Sequence, residues 1–188
     1  FRARPSGPTG GQRRFVQGNY AGQLSARGGT VRLYDDTGLL IATTNYAGAP
    51  VASQKGARVT EIQYHPAAPT AAEAAALVGV VADDFEYLEI ANIGAGPLVL
   101  TGAYFSQGVG YTFPEVSLAG GARLVLAKRP EAFALRHASV SAYGPYEGSL
   151  DNGGERIELT DACGENILDF TYGDGWYPAS DGKGRSLV

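Results

Sequence analysis

The chain has 188 residues and a mass of 19.6 kDa, enough for one core-bearing domain or one and a half. A hydrophobic share of 44% with 11 Tyr and 7 Phe excludes a disordered chain, and no apolar run reaches the ~18 residues a membrane-spanning helix needs. The net charge of −4 is uneven: residues 1–56 hold seven Lys or Arg against two acids, or +5, whereas residues 57–188 hold eight against 17, or −9. The basic residues are scattered and no recognition motif accompanies them, so the asymmetry points to contact within or between chains and away from nucleic acid. Gly and Pro make about a fifth of the chain, above the roughly 12% of average usage, which calls for many turns. There is no Met, and the first 20 residues carry arginines where a signal peptide has its apolar centre. The sequence therefore reads as a processed product or a piece of something longer.

The first element in chain order is also half of a repeat. Gly18–Tyr46 (GNYAGQLSARGGTVRLYDDTGLLIATTNY) aligns with Gly144–Tyr172 (GPYEGSLDNGGERIELTDACGENILDFTY) at a constant offset of 126 without a gap, and ten of 29 positions match. Turn glycines (Gly28/Gly154, Gly38/Gly164) and apolar positions (Leu24/Leu150, Leu33/Leu159, Ile41/Ile167, Tyr46/Tyr172) match together, as chance rarely arranges. Each copy reads as a strand, a Gly-rich turn, a strand alternating at Val31/Leu33 or Ile157/Leu159, an Asp-x-x-Gly turn and a return strand, a three-stranded meander. Between the copies, Val59–Tyr64 predicts a strand set off by Gly56 and Pro66. Thr70–Val78 predicts a helix with a capping box formed by Thr70 and Glu73. Phe85–Ala91 predicts a strand with Glu86, Leu88 and Ile90 on one side and Phe85, Tyr87 and Glu89 on the other. Leu98–Phe105 and Tyr111–Phe113 follow as strands, Ala122–Ala127 as a largely buried strand, and Pro130–His137 as a short helix with Pro130 in its first turn. Short strands at turn-separated intervals, with short helices confined to connections, indicate an all-β sandwich.

Chemistry-bearing candidates are few. Cys163 is a lone cysteine in the turn Asp161-Ala162-Cys163-Gly164 and reads as a turn residue. His65 and His137 have no second histidine or cysteine at ligand spacing. Gly108-Val109-Gly110 and Gly173-Asp174-Gly175 lack the helix and lysine of a phosphate loop and read as turns. The carboxylates Asp83, Asp84 and Glu86 are a candidate calcium cluster, since that hard cation takes several oxygens from a flexible loop. Asp151, Asn152 and Glu155 are a weaker set, because their repeat counterparts are Ser25, Ala26 and Gly29. Tyr172, Trp176 and Tyr177 offer flat faces for stacking on a sugar, or else close the bottom of a core.

Six stations in order, EIQYHP (61–66), FEYLEIANIG (85–94), LTGAYFSQGVGYTFP (100–114), LAGGARLVLAKRPEAF (118–133), YEGSLDNGGERIELTDACGENILDFTYGD (146–174) and WYPASDGKGRSLV (176–188), together resemble the lamin-tail domain in its bacterial extracellular form. The resemblance covers most of residues 57–188 and implies an immunoglobulin-like β-sandwich. Residues 1–56 then resemble the C-terminal part of a preceding domain of that kind, a partial meander. What the resemblance implies is a non-catalytic structural or adhesive module of a larger secreted or surface protein, without a cofactor; the partial repeat adds that its partners are neighbouring domains or copies of the same protein, assembled head-to-tail. The alternative the residues leave open is a carbohydrate- or calcium-dependent binding module.

Overall fold

The computed structural model describes residues 24–188, which form mostly strands in several sheets with a few short helices. Strands β1 (Gly28–Tyr34) and β2 (Leu40–Ala47) make an antiparallel hairpin. Helix α1 (Ala52–Gly56) leads into β3 (Ala57–Gln63), and α2 (Ala71–Ala76) with a single 3-10 turn (Ala82–Phe85) leads into β4 (Tyr87–Asn92). Then come β5 (Leu98–Val99), β6 (Tyr104–Gln107), β7 (Ser117–Leu118), β8 (Arg123–Ala127), α3 (Pro130–Arg136) and β9 (Ala142–Tyr143). Strands β10 (Arg156–Thr160) and β11 (Asn166–Thr171) form the second hairpin.

A four-stranded sheet runs β3-β4-β8-β9 and a three-stranded one β11-β10-β6, with β5 and β7 paired separately. One apolar cluster draws on both larger sheets: Ile62, Leu88, Ile90, Leu124 and Leu126 from the first, Phe105, Ile157, Leu159 and Ile167 from the second. Tyr64, Phe113 and Tyr172 join them, fully buried. After the exposed Arg123, residues 124–127 are continuous in apolar character because β8 is covered twice. Its other face, with Tyr87, packs on Phe133 of α3, the two rings 5.2 Å apart and edge-on.

Residues 70–85, between the first two strands of the larger sheet, carry a third cluster. The box at the start of α2 forms, with the Glu73 amide donating to Thr70 Oγ1 and the Thr70 amide to Glu73 Oε2. Glu73 also binds the Arg136 guanidinium at 2.8 Å, which holds its carboxyl down at about 2, and that guanidinium lies 3.5 Å above the Phe85 ring. Phe85, Val80 and Ala132 close under it, so the segment is pinned to α3.

Three expectations are corrected. The run 98–105 is not one strand: Gly102 at φ +72° turns the chain between β5 and β6. Tyr111–Phe113 is not a strand of its own, but a single bridge from Thr112 to Tyr104. The second copy of the repeat is a hairpin and not a three-stranded meander. In the second copy the leading segment makes only the Gly110–Glu147 bridge, and most of its counterpart in the first copy lies outside the described residues.

Candidate functional site

The site is built from the duplicated hairpin. In the second copy the ladder runs Arg156↔Thr171, Ile157↔Phe170, Glu158↔Asp169 and Leu159↔Leu168, then slips by one residue to Thr160↔Asn166. In the first it runs Thr30↔Asn45, Val31↔Thr44, Arg32↔Thr43 and Leu33↔Ala42, then slips to Tyr34↔Leu40. All five pairs of the second ladder, and the bulge, recur in the first at the offset of 126, and the first continues with Gly29↔Tyr46 and Gly28↔Ala47. The turns agree in the amide bonds to their aspartates. Asp161 Oδ1 accepts from the amides of Cys163 and Glu165, both at 2.8 Å, as Asp35 Oδ1 accepts from Thr37 at 2.9 Å and Leu39 at 2.8 Å. In the first turn the Thr37 hydroxyl also donates to Asp35 Oδ1 at 2.7 Å, and this bond with those of the Leu39 and Thr37 amides holds the Asp35 carboxyl below its ordinary pKa. Tyr172 donates its hydroxyl to the Asp151 carbonyl, and Tyr46 to that of Ser25. Gly154 and Gly28 both have positive φ, and a Cβ on either would strike the carbonyl oxygen of that tyrosine.

Burial separates what the backbone shares. Leu159 and Ile167 are 0% and 2% exposed, whereas Leu33 and Ile41 are 57% and 60% exposed. Leu24 and Val31 are exposed as well, against buried Leu150 and Ile157. The second hairpin has β6 on its open edge and the four-stranded sheet across its face. Among the described residues, the first has neither. It presents an apolar face and an open strand edge together.

The first hairpin is nevertheless tied to the rest of the chain. Gln54 of α1 is buried; its amide donates to Glu165 Oε1 and to the Asn166 carbonyl, each at 2.8 Å, while its carbonyl accepts from the Val51 amide. Glu165 Oε1 also takes the Ser25 hydroxyl and the Ala26 amide, and Arg27 donates to the Ile167 carbonyl at 2.7 Å. The base of the hairpin therefore rests on the turn between β10 and β11. Sequence reading missed this anchor. Its signal was the break in the repeat where Leu39 is replaced by Glu165: Leu39 is exposed and Glu165 buried.

The sequence candidates disperse. Glu86 is buried, accepting from the Tyr146 hydroxyl at 2.8 Å and the Leu150 amide at 2.9 Å, with Lys128 Nζ 3.6 Å away. Burial raises its pKa to about 7, against the pull of those donors and the lysine. Asp84 pairs with Arg129 at 3.1 Å and accepts from the Val81 amide, and Asp83 lies 3.8 Å from Lys128. The calcium cluster is thus a set of carboxylates each facing a cation, and among the described residues no group of three or more His, Cys, Asp or Glu could hold a metal ion. Asp151 and Glu155 are engaged in their own turn, by the Gly153 amide and by the Asp151 amide with the Tyr172 hydroxyl. His65 pairs with Asp181 at 2.6 Å. His137 stacks on Phe133, and burial lowers its pKa. Cys163 is exposed in its turn. Tyr172 is a core residue and presents no ring to a ligand. Trp176, 65% exposed, and Tyr177 instead line an open groove of about 1350 Å³ with Arg58 and Glu61 of β3 and Asp169 and Phe170 of β11.

The arrangement offers two surfaces that could engage something outside the chain, the bare hairpin face and this aromatic-sided groove. No family model, curated protein or solved structure matches the chain.

Proposed function

We propose that residues 57–188 are an immunoglobulin-like β-sandwich of the lamin-tail kind, preceded in residues 1–56 by the C-terminal part of another such domain. On this reading the chain is a non-catalytic structural or adhesive module of a larger secreted or surface protein, and its partners are neighbouring domains. One observation carries the reading: a hairpin duplicated down to its bulge and its aspartate turn, with its apolar side bare, stands directly before a unit in which the same hairpin is buried. A strand ladder and core positions kept in register are what tandem repetition of a domain leaves behind. The opposite charge of residues 1–56 and 57–188 favours contact between successive units.

A second reading, a carbohydrate-binding module, is favoured by the exposure of Trp176 and Tyr177 beside the groove. Thermal unfolding of the chain with calcium, with a chelator and with a panel of glycans separates the two. The structural reading expects one unchanged transition throughout. A rise in midpoint with a glycan, lost in Trp176→Ala, overturns it for the second reading, and a rise with calcium that chelation reverses overturns it for a calcium-dependent module.

A further inference from the structure

We infer that the bare side of the β1–β2 hairpin is half of a core whose other half is a segment built like residues 57–143, standing ahead of Gly18 in the same polypeptide. The inference rests on the tandem reading above and names the partner that reading leaves open.

The second unit is the template, position by position. There the face carrying Ile157, Leu159 and Ile167 is closed by the four-stranded sheet, and the outer edge of β10 is closed by β6 in the register Glu158↔Gln107, Leu159↔Phe105 and Thr160↔Tyr104. Moved by the offset of 126, this places an incoming antiparallel strand on β1. A residue in the Phe105 place faces Leu33, one in the Tyr104 place faces Tyr34 and one in the Gln107 place faces Arg32, with a bulge between the last and the first. The partner's chemistry is narrowed further by Glu86. That buried carboxylate takes the Tyr146 hydroxyl and the Leu150 amide, and the repeat keeps Tyr20 and Leu24 at those two positions. Of these two donors only the tyrosine hydroxyl depends on residue type, so Tyr20 asks for a hydrogen-bond acceptor in the Glu86 place.

An open edge needs a strand and an apolar face needs a sheet, so the occupant supplies both at once. A second copy of this chain has no vacant front half to give, since its residues 57–143 already cover its own β10–β11 hairpin. The gapless offset sets Gly18 in the place of Gly144, directly behind the end of such a segment. A covalent tether of that length holds the partner at millimolar effective concentration.

The test replaces residues 1–17 of the full chain by a duplicate of residues 57–143 joined to Gly18, and reads amide hydrogen exchange in β1. Exchange over Gly28–Tyr34 should slow by at least about 100-fold relative to the parent chain, and Leu33→Asp in the extended chain should restore the parent's rate. Exchange over 154–172 should hold constant in all three chains, which reports that the second unit stays folded. Equal exchange of β1 in the extended and parent chains overturns the inference, because the same segment folds against Gly144–Val188. Protection of β1 in the parent chain that grows with its concentration also overturns it, in favour of a second copy. Either result leaves the calcium and glycan readouts unmoved, so this inference and the functional reading fail separately.

Discussion

The two hairpins carry the same leucine at the same rung of the same ladder, yet Leu159 lies in the core and Leu33 in solvent. Burying such a side chain contributes about 1.5–3 kcal/mol, so one copy stabilises the fold and the other holds that contribution in reserve. A two-stranded hairpin alone is marginal in water. The first is held instead by the Asp35 turn and by Ser25, Ala26 and Arg27 against the β10–β11 turn. Local geometry is therefore a property of the repeat, and burial is a property of what the repeat meets.

The comparison breaks most readily at the shared leucine. Leu159→Ala should cost about 2–5 kcal/mol of unfolding free energy in denaturant, and Leu33→Ala less than about 0.5 kcal/mol. Comparable losses at both sites would mean that the first hairpin face is covered after all. Next in size is Glu86, which has no counterpart in the described part of the first copy. Its carboxyl titrates near 7 when folded, against an ordinary 4.5, so the folded state holds the proton more tightly. Its contribution is then complete below about pH 4.5 and is lost as pH rises through about 7. Measured between about pH 4 and 8, wild type should lose about 2–3 kcal/mol relative to Glu86→Gln, and parallel pH profiles would refute the buried acid.

Gly154→Ala should cost about 1–3 kcal/mol, since the new Cβ would meet the Tyr172 carbonyl in a left-handed conformation. Gly28→Ala introduces the same strain where little is packed. It should speed β1 amide exchange while leaving the main unfolding transition in place. The smallest effect is expected at Trp176→Ala, within about 0.5 kcal/mol of wild type by denaturant melt, because an exposed ring adds little to the core.

Much of this was legible in the residues. Turn glycines and Asp35/Asp161 spelled out both hairpins, Thr70 and Glu73 the start of α2, and Pro130 the start of α3. Burial of the first hairpin was not legible, because Val31, Leu33 and Ile41 read like their buried counterparts. Helix α1 was missed because the five residues Ala52–Gly56 are too few to show a helical period or to hold a helix alone; the tertiary bonds of Gln54 hold it. Glu86 looked like part of an acidic loop. Its alternation with Leu88 and Ile90 placed it on the core side, a signal outweighed by Asp83 and Asp84 beside it. The aromatics near the C-terminal end divided between Tyr172 in the core and Trp176 and Tyr177 at the surface, which only the path of the chain after β11 decides.

The anchor at Glu165 has a mechanical consequence. Tension entering through the first hairpin does not arrive first at the end of β3. It passes through Ser25, Arg27 and Gln54 into the β10–β11 turn, several hydrogen bonds loaded side by side. Bonds loaded side by side part together and not one after another, so the base of the hairpin and the β10–β11 turn would move as one piece.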